Sequence, residues 1–227
     1  MIAARILLAG ALAASVLTNI APAKADSGCT PGGPPAGAAT RTFDGGTVWI
    51  THEGLVGVST AGGSGIVRVP SASPMPLQAL VIDAADNGNR QLIVSDGRVA
   101  HLYILAGCQI ATAYDGQGEP FLFDLENLRG NGTGVGCSDL GDGRHLVGLQ
   151  ALPSADGYVV RRTEIDLSDT AATIGLSDTT IGLSGTTATI GRSDTVTGTS
   201  QQDPVVASAM TISCGDQTIT QNGVQQP

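Results

Sequence analysis

The chain has 227 residues, of which 20 are Asp or Glu and 11 are Lys or Arg, giving a formal charge of −9. That balance excludes the basic footprint of a nucleic-acid binder and the polybasic surface needed to hold anionic lipid. Gly is abundant at 32, and only 3% of the residues are aromatic.

Residues 1–25 read as a secretory signal peptide. Arg5 opens it, an apolar run follows from Ile6 to about Leu17, and Ala23-Lys24-Ala25 supplies small residues at the two positions a signal peptidase reads. Cleavage is expected after Ala25. An N-terminal membrane anchor is the alternative, although the apolar run is shorter than the roughly 20 residues a span requires. Lipidation of Cys29 is a second alternative: Ser27-Gly28 is small as a lipobox demands, but Asp26 stands where that motif places Leu. The mature chain keeps nine Arg and no Lys against 20 acidic residues, a formal charge of −11. Lysine-based covalent catalysis is thereby excluded. Arg without Lys, with much Ala and Gly, fits coding from a high-GC bacterium.

Four cysteines remain, Cys29, Cys108, Cys137 and Cys214. An even number in an exported chain reads as two disulfides. Of the three possible pairings, a local Cys108–Cys137 bridge and a Cys29–Cys214 clasp between the ends are favoured, each contributing about 2–4 kcal/mol.

Residues 26–45 are Pro/Gly-rich and expected to be irregular. From 46 to 227 the chain reads as one all-β domain. Short β-branched runs form candidate strands at 47–52, 65–70, 77–83, 90–96, 99–105, 144–152 and 158–167. Asp96-Gly97, Asp142-Gly143 and Asp156-Gly157 mark tight turns between several of them. An antiparallel meander follows. The stretch "VIDAADNGNRQLIV" (81–94) aligns with "GCSDLGDGRHLVGL" (136–149), matching Asp83 with Asp139, Gly88 with Gly143 and Leu92 with Leu146. The period is about 55, and repeated four-strand units at that spacing suggest propeller blades.

Aspartate-rich turns before a strand, together with "NGTGVGC", "DGR", "LVGL", "RRTEIDL" and "TISCGD" in that order, resemble the FG-GAP or VCBS repeats of integrin-like β-propellers in secreted actinobacterial proteins. The resemblance spans roughly residues 77–220. It implies a propeller-like scaffold, small or incomplete, whose turns hold Ca²⁺. Here the ligands would be Asp83 and Asn87 in one turn and Asp139 and Asp142 in the other, since clustered carboxylates offer hard oxygens. The sequence departs from the family pattern: Ala85 takes a carboxylate position, and Gln91 and His145 replace the acid before the strand. The competing reading is an Asx-type turn in which the Asp side chains accept from local amides.

Catalytic motifs are thin. His52, His101 and His145 have no metal-ligand spacing. "GGSG" (62–65) and "GLSG" (182–185) fall short of Gly-x-Ser-x-Gly. "RGNGTGVGC" (129–137) lacks the Gly-Lys-Ser/Thr of a phosphate loop. Asp124 and Glu126 could serve a glycosidase, which needs two placed acids, but few aromatic residues are available to stack on sugars. No catalytic residue is assigned.

Residues 167–198 hold one 16-residue unit twice, LSDTAATIGLSDTTIG and LSGTTATIGRSDTVTG. The composition is too thin in apolar residues to bury a core, and added loop length costs little. An exposed hairpin extension or loop over 167–200 is expected; a short β-solenoid ledge and a ligand-binding repeat, with its many Thr as O-glycosylation sites, are the alternatives. Residues 205–216 read as a closing strand. The functional expectation is an exported, non-enzymatic binding or cell-envelope interaction module, with a protein or envelope glycan as partner. The alternatives are a secreted glycosidase- or esterase-type hydrolase and a purely structural secreted domain.

Overall fold

A computed structural model describes residues 28–125, 132–169 and 186–227; the expected signal peptide lies outside them. The class is all-β and the pairing antiparallel throughout the main units. Three consecutive four-strand meanders account for most of the described residues. The first contains β1 (Ala39–Phe43), β2 (Gly46–Ile50), β3 (Leu55–Thr60) and β4 (Gly63–Arg68), paired in chain order. The second contains β5 (Gln78–Ile82), β6 (Arg90–Ser95), β7 (Val99–Ala106) and β8 (Gln109–Tyr114). A short β9 (Leu122–Asp124) returns to pair with β7. The third contains β10 (Gly132–Asp139), β11 (Arg144–Ser154), β12 (Gly157–Asp169) and β13 (Thr186–Gly198).

Within the segment expected to be irregular, residues 39–43 instead form a strand of the first meander. Ala39–Phe43 is hydrogen-bonded in register to β2, Ala39 opposite Ile50 and Phe43 opposite Gly46. A separate propeller blade would leave its outer strand unpaired, yet β13 pairs in parallel with β8 at Thr186↔Ala113 and Thr187↔Tyr114. The second and third meanders therefore share one curled sheet, and the propeller likeness is partial. The second copy of the 16-residue repeat supplies β13. Thr186 and Ala188 are buried at its inner end, while Ile190 is 73% exposed; residues 170–185 lie outside the described part.

After β13 the expected closing strand over 205–216 is replaced by α1 (Pro204–Ser208), then β14 (Ser213–Cys214), β15 (Gln217–Thr218), α2 (Ile219–Asn222) and β16 (Val224–Gln225). Asp203 caps α1, accepting from Val205 N–H, and Pro204 occupies the first turn where its missing N–H costs nothing. Asp-Pro thus overrides the β-branched run that follows. β16 pairs with β5 and brings the C-terminus back to the middle of the fold. Among the described residues no helix is long and apolar enough to cross a membrane.

Side chains alternate along the second meander and serve two cores. Ala79, Val81, Leu92, Val94 and Tyr103 face the first meander, packing on Val48, Ile50, Val56, Val58 and Val67. Leu80, Ile82, Ile93, Ala100 and Leu102 face the other way, onto Val135, Leu146, Ile165, Ala188 and the C-terminal Ile212 and Ile219. A smaller core sets α1 residues Val206 and Ala209 against Val147, Leu149, Ala151 and Val160.

The disulfides are Cys29–Cys108 and Cys137–Cys214, with Cα separations of 5.7 and 4.9 Å. The expected local Cys108–Cys137 bridge and Cys29–Cys214 clasp are overturned. Cys108 sits in the β7–β8 turn against β4, where Gly65 lets its carbonyl approach: a Cβ on Gly65 would collide with it. Cys137 lies on β10 beside the C-terminal segment, held there by the Val135↔Ile212 bridge. Each bond staples one terminal segment to its neighbouring meander. Peptide mapping under non-reducing conditions should recover Cys29 linked to Cys108 and Cys137 linked to Cys214; a Cys108–Cys137 peptide would refute this stacking.

Candidate functional site

Each meander places an Asp at the turn after its first strand: Asp44, Asp83 and Asp139. Asp83 Oδ1 and Oδ2 accept from the amides of Asn87 (3.0 Å) and Gly88 (2.7 Å). Asn87 Oδ1 accepts from Asn89 N–H. Asp139 Oδ1 accepts from Gly141 N–H at 2.7 Å and Gly143 N–H at 3.3 Å. These are Asx-type turns. Gln91 is 4% exposed and ties its turn shut, accepting from Ala84 N–H and donating to the Asn89 carbonyl.

The two turns are joined by a cation from the chain itself. Arg144 donates to the carbonyls of Asp83 (2.5 Å) and Ala84 (3.1 Å) and lies 3.9 Å from Asp86. Arg90, the residue that aligns with Arg144, donates to Asp44 Oδ2 at 2.8 Å. Asp142 is engaged elsewhere, with Arg192 and with His145 Nε2 at 2.9 Å. The guanidinium, then the imidazole, holds its carboxyl below the ordinary range. His145 Nδ1 meets Glu164 Oε1 at 2.5 Å, and Arg192 Nε meets Glu164 Oε2 at 3.0 Å. Glu164 is 6% exposed and sits at a register shift in the β12–β13 pairing. That bulge re-aims its side chain. Among the described residues no three His, Cys, Asp or Glu side chains gather as a metal site requires.

A second feature had no sequence signal. A cleft of about 590 Å³ opens where the first and second meanders meet, walled by Val67, Val69, Pro70, Leu77, Tyr103 and Pro120. Arg68, Ser71, Thr112 and Tyr114 add polar groups, and Met75, 59% exposed, lies in its wall. The 69–77 connection that forms one side is pinned by Asp96. This carboxylate is 4% exposed and accepts from Ser71 Oγ (2.7 Å) and from the amides of Arg98 and Val99 (each 2.9 Å). Burial opposes its ionisation, but these hydrogen bonds outweigh it and leave the pKa below the ordinary 3.8. His101, on β7 in the cleft wall, is 6% exposed. Burial pushes its pKa below 6.5, against smaller raising effects from Asp96 and a hydrogen bond to the Pro70 carbonyl. Burial likewise pushes the Tyr103 phenol well above its ordinary range.

The other sequence candidates lie apart. His52 Nδ1 contacts the Pro227 carbonyl oxygen at 3.1 Å. Ser64, the serine of "GGSG", is buried and donates to the Gly32 carbonyl. Asp124 ends β9, while Glu126, "GLSG" (182–185) and residues 129–131 of the Gly-rich run lie outside the described residues. The cleft escapes sequence reading because its residues come from six segments; only the His-x-Tyr alternation at 101 and 103 hints at a shared face.

Comparison with known protein families, with curated proteins and with solved structures finds no match.

Two outcomes are expected. With its turn carboxylates already engaged, the protein should melt at the same temperature in chelator and in millimolar Ca²⁺, whereas Arg144→Gln should lower Tm by several degrees, consistent with about 1–2 kcal/mol; a Ca²⁺-dependent rise in Tm would assign the turns to the metal. The unfolded chain protonates His101 near 6.5, but the folded chain resists. Stability should therefore fall as pH drops below about 6.5, by up to one proton's slope, and equilibrium unfolding at pH 5–7 should lose that slope in His101→Phe.

Proposed function

We propose that this chain is an exported, non-catalytic ligand-binding module, cleaved after Ala25 and built on a scaffold similar to the FG-GAP or VCBS type. It would act at the cell envelope or beyond it. Its two disulfides suit an oxidising compartment. The observation that carries the reading is the cleft: its volume and mainly apolar walls with a few inward polar groups are those of small-ligand sites.

Hydrolysis is less well supported at the same place. A serine nucleophile needs its hydroxyl on an imidazole base, but Ser71 Oγ donates to Asp96, and the Ser71 hydroxyl is held by a carboxylate. Asp142, His145, Glu164 and Arg192 form a closed ion cluster in which every charged side chain has a partner, as expected of a structural clamp.

The test is a screen of small molecules and envelope-glycan fragments against the purified protein, beside a panel of ester and glycoside substrates. Binding without turnover is expected, and Thr112→Trp, which places an indole in the cleft from half-buried β8, should abolish it. Turnover removed by a single Asp or His substitution would overturn the reading in favour of a hydrolase.

A further inference from the structure

The Tyr103 hydroxyl has no partner within the protein. The residue is 3% exposed, lies on β7 and lines the cleft. Among the described residues no group hydrogen-bonds its oxygen. The fully buried side-chain atoms left without a partner are His101 Nε2 and Thr133 Oγ1. The Tyr103 oxygen is not one of them, so the little surface this residue keeps includes that oxygen, and it opens on the cleft. Burial holds the phenol protonated, so it stands ready as an O–H donor. Thr112, directly opposite Tyr103 in the β7–β8 ladder, and Tyr114, two residues on, bring two more unengaged hydroxyls to the same wall. A polar group held out of water without a partner is costly, and a ligand that supplies the partner relieves it.

The charged groups around the cleft do not compete for that role. Glu53 and Arg68 both belong to the lining and both are exposed. They are opposite in sign, their charged ends stand in water at the mouth, and together they leave it without net charge. Charges so placed are screened and select weakly. The Asp96 carboxylate behind Ser71 is already filled by three donors. Deeper in, Val67, Val69 and Leu77 are buried and apolar, and burial keeps His101 neutral. A charged ligand group would shed its water there with no ion to meet it.

We propose that the cleft takes an uncharged molecule with an apolar body and a carbonyl oxygen that accepts from the Tyr103 hydroxyl, with Thr112 and Tyr114 as neighbouring donors. The inference rests on the cleft being a ligand seat. Ketones, esters and amides belong to this class; carboxylates and ammonium compounds do not. A site with a buried donor discriminates against the analogue that leaves it unpaired.

The probes are benzylacetone and butylbenzene, which share a skeleton and differ in one carbonyl. Hydrocinnamate is the anionic analogue, and the amine corresponding to benzylacetone is the cationic one. Tyr103→Phe removes the hydroxyl and keeps the ring. The ratio of ketone to hydrocarbon affinity should fall about tenfold from the intact protein to Tyr103→Phe, the scale of one hydrogen bond from a buried group. The carbonyl stretch of benzylacetone bound to the intact protein should lie below its value in hexane and return towards that value in the variant. Neither ion should bind tighter than the ketone. If Tyr103→Phe does not fold, the shift of the stretch from hexane to the intact protein decides. An affinity ratio that the variant leaves unchanged, a stretch unmoved from hexane, or tighter binding of either ion would overturn the ligand class. The ligand-seat reading then stands, provided Thr112→Trp abolishes binding of the probes. Binding of neither benzylacetone nor butylbenzene also overturns the ligand class, and the seat itself then stands or falls with the broader screen.

Discussion

The fold depends on the second meander being buried on both faces. In most antiparallel sheets one face meets water and the sequence alternates apolar with polar. Here β5 and β6 carry unbroken apolar runs, Ala79–Ile82 and Leu92–Val94, because Ala79, Val81, Leu92 and Val94 serve one core while Leu80, Ile82 and Ile93 serve the other. A one-residue slip would exchange the two sets. Everything else is placed relative to this slab: the first meander covers one side, the third curls over the other, and β16 closes the exposed edge of β5. The cleft lies where the first covering layer stops short, so its walls are core residues at the margin of the interface.

Burial is non-directional and does not by itself fix how successive meanders sit. A repeated polar contact supplies direction. Arg90, at the start of the second strand of the second meander, reaches the Asp44 turn of the first. Arg144, at the same place in the third, reaches the Asp83 turn of the second. An arginine at this position clamps the preceding unit through its first turn, and a guanidinium suits the work because its forked donors can meet two carbonyls together. Among the described residues no arginine of a following unit reaches the third turn. That turn is closed from within its own unit: Arg162 donates to the Asp139 carbonyl and Arg192 to Asp142.

What was legible in the sequence follows from this arrangement. The β-branched runs at β5, β6, β7, β11 and β12 were readable because double burial or strand length makes them conspicuous. LVGVST and QIATAY, which form β3 and β8, were not: Gly57 is there because Trp49 packs over it, leaving no room for a Cβ, and Gly and Ala weaken a strand pattern. The equivalence of the Asp83 and Asp139 turns was visible, while Asp44 was not, because β1 begins in a Pro/Gly-rich stretch. Cysteine pairing was misjudged from sequence proximity. It is decided by which interface each thiol faces, a property of tertiary packing.

The 16-residue repeat raises the question of which copy enters the sheet. The copies match at most positions that would face β12: Thr170 aligns with Thr186, Ala172 with Ala188 and Asp178 with Asp194. Either could supply the small buried residues and the acid that Arg162 grips through Asp194. They differ at one decisive place, where the first copy has Leu176 and the second has Arg192. Glu164, aimed inward by its bulge, pairs with that guanidinium; with Leu opposite it would keep only the His145 ring as a partner, and removing the ionic partner of a buried carboxylate is destabilising. Val196, matched by Thr180 in the first copy, adds apolar contact to the core beneath α1. The two copies are near-identical in sequence, and Arg192 is the one basic residue in either. The polar cluster around His145 is thus specific to the copy that carries Arg192, whose guanidinium joins Asp142 to Glu164.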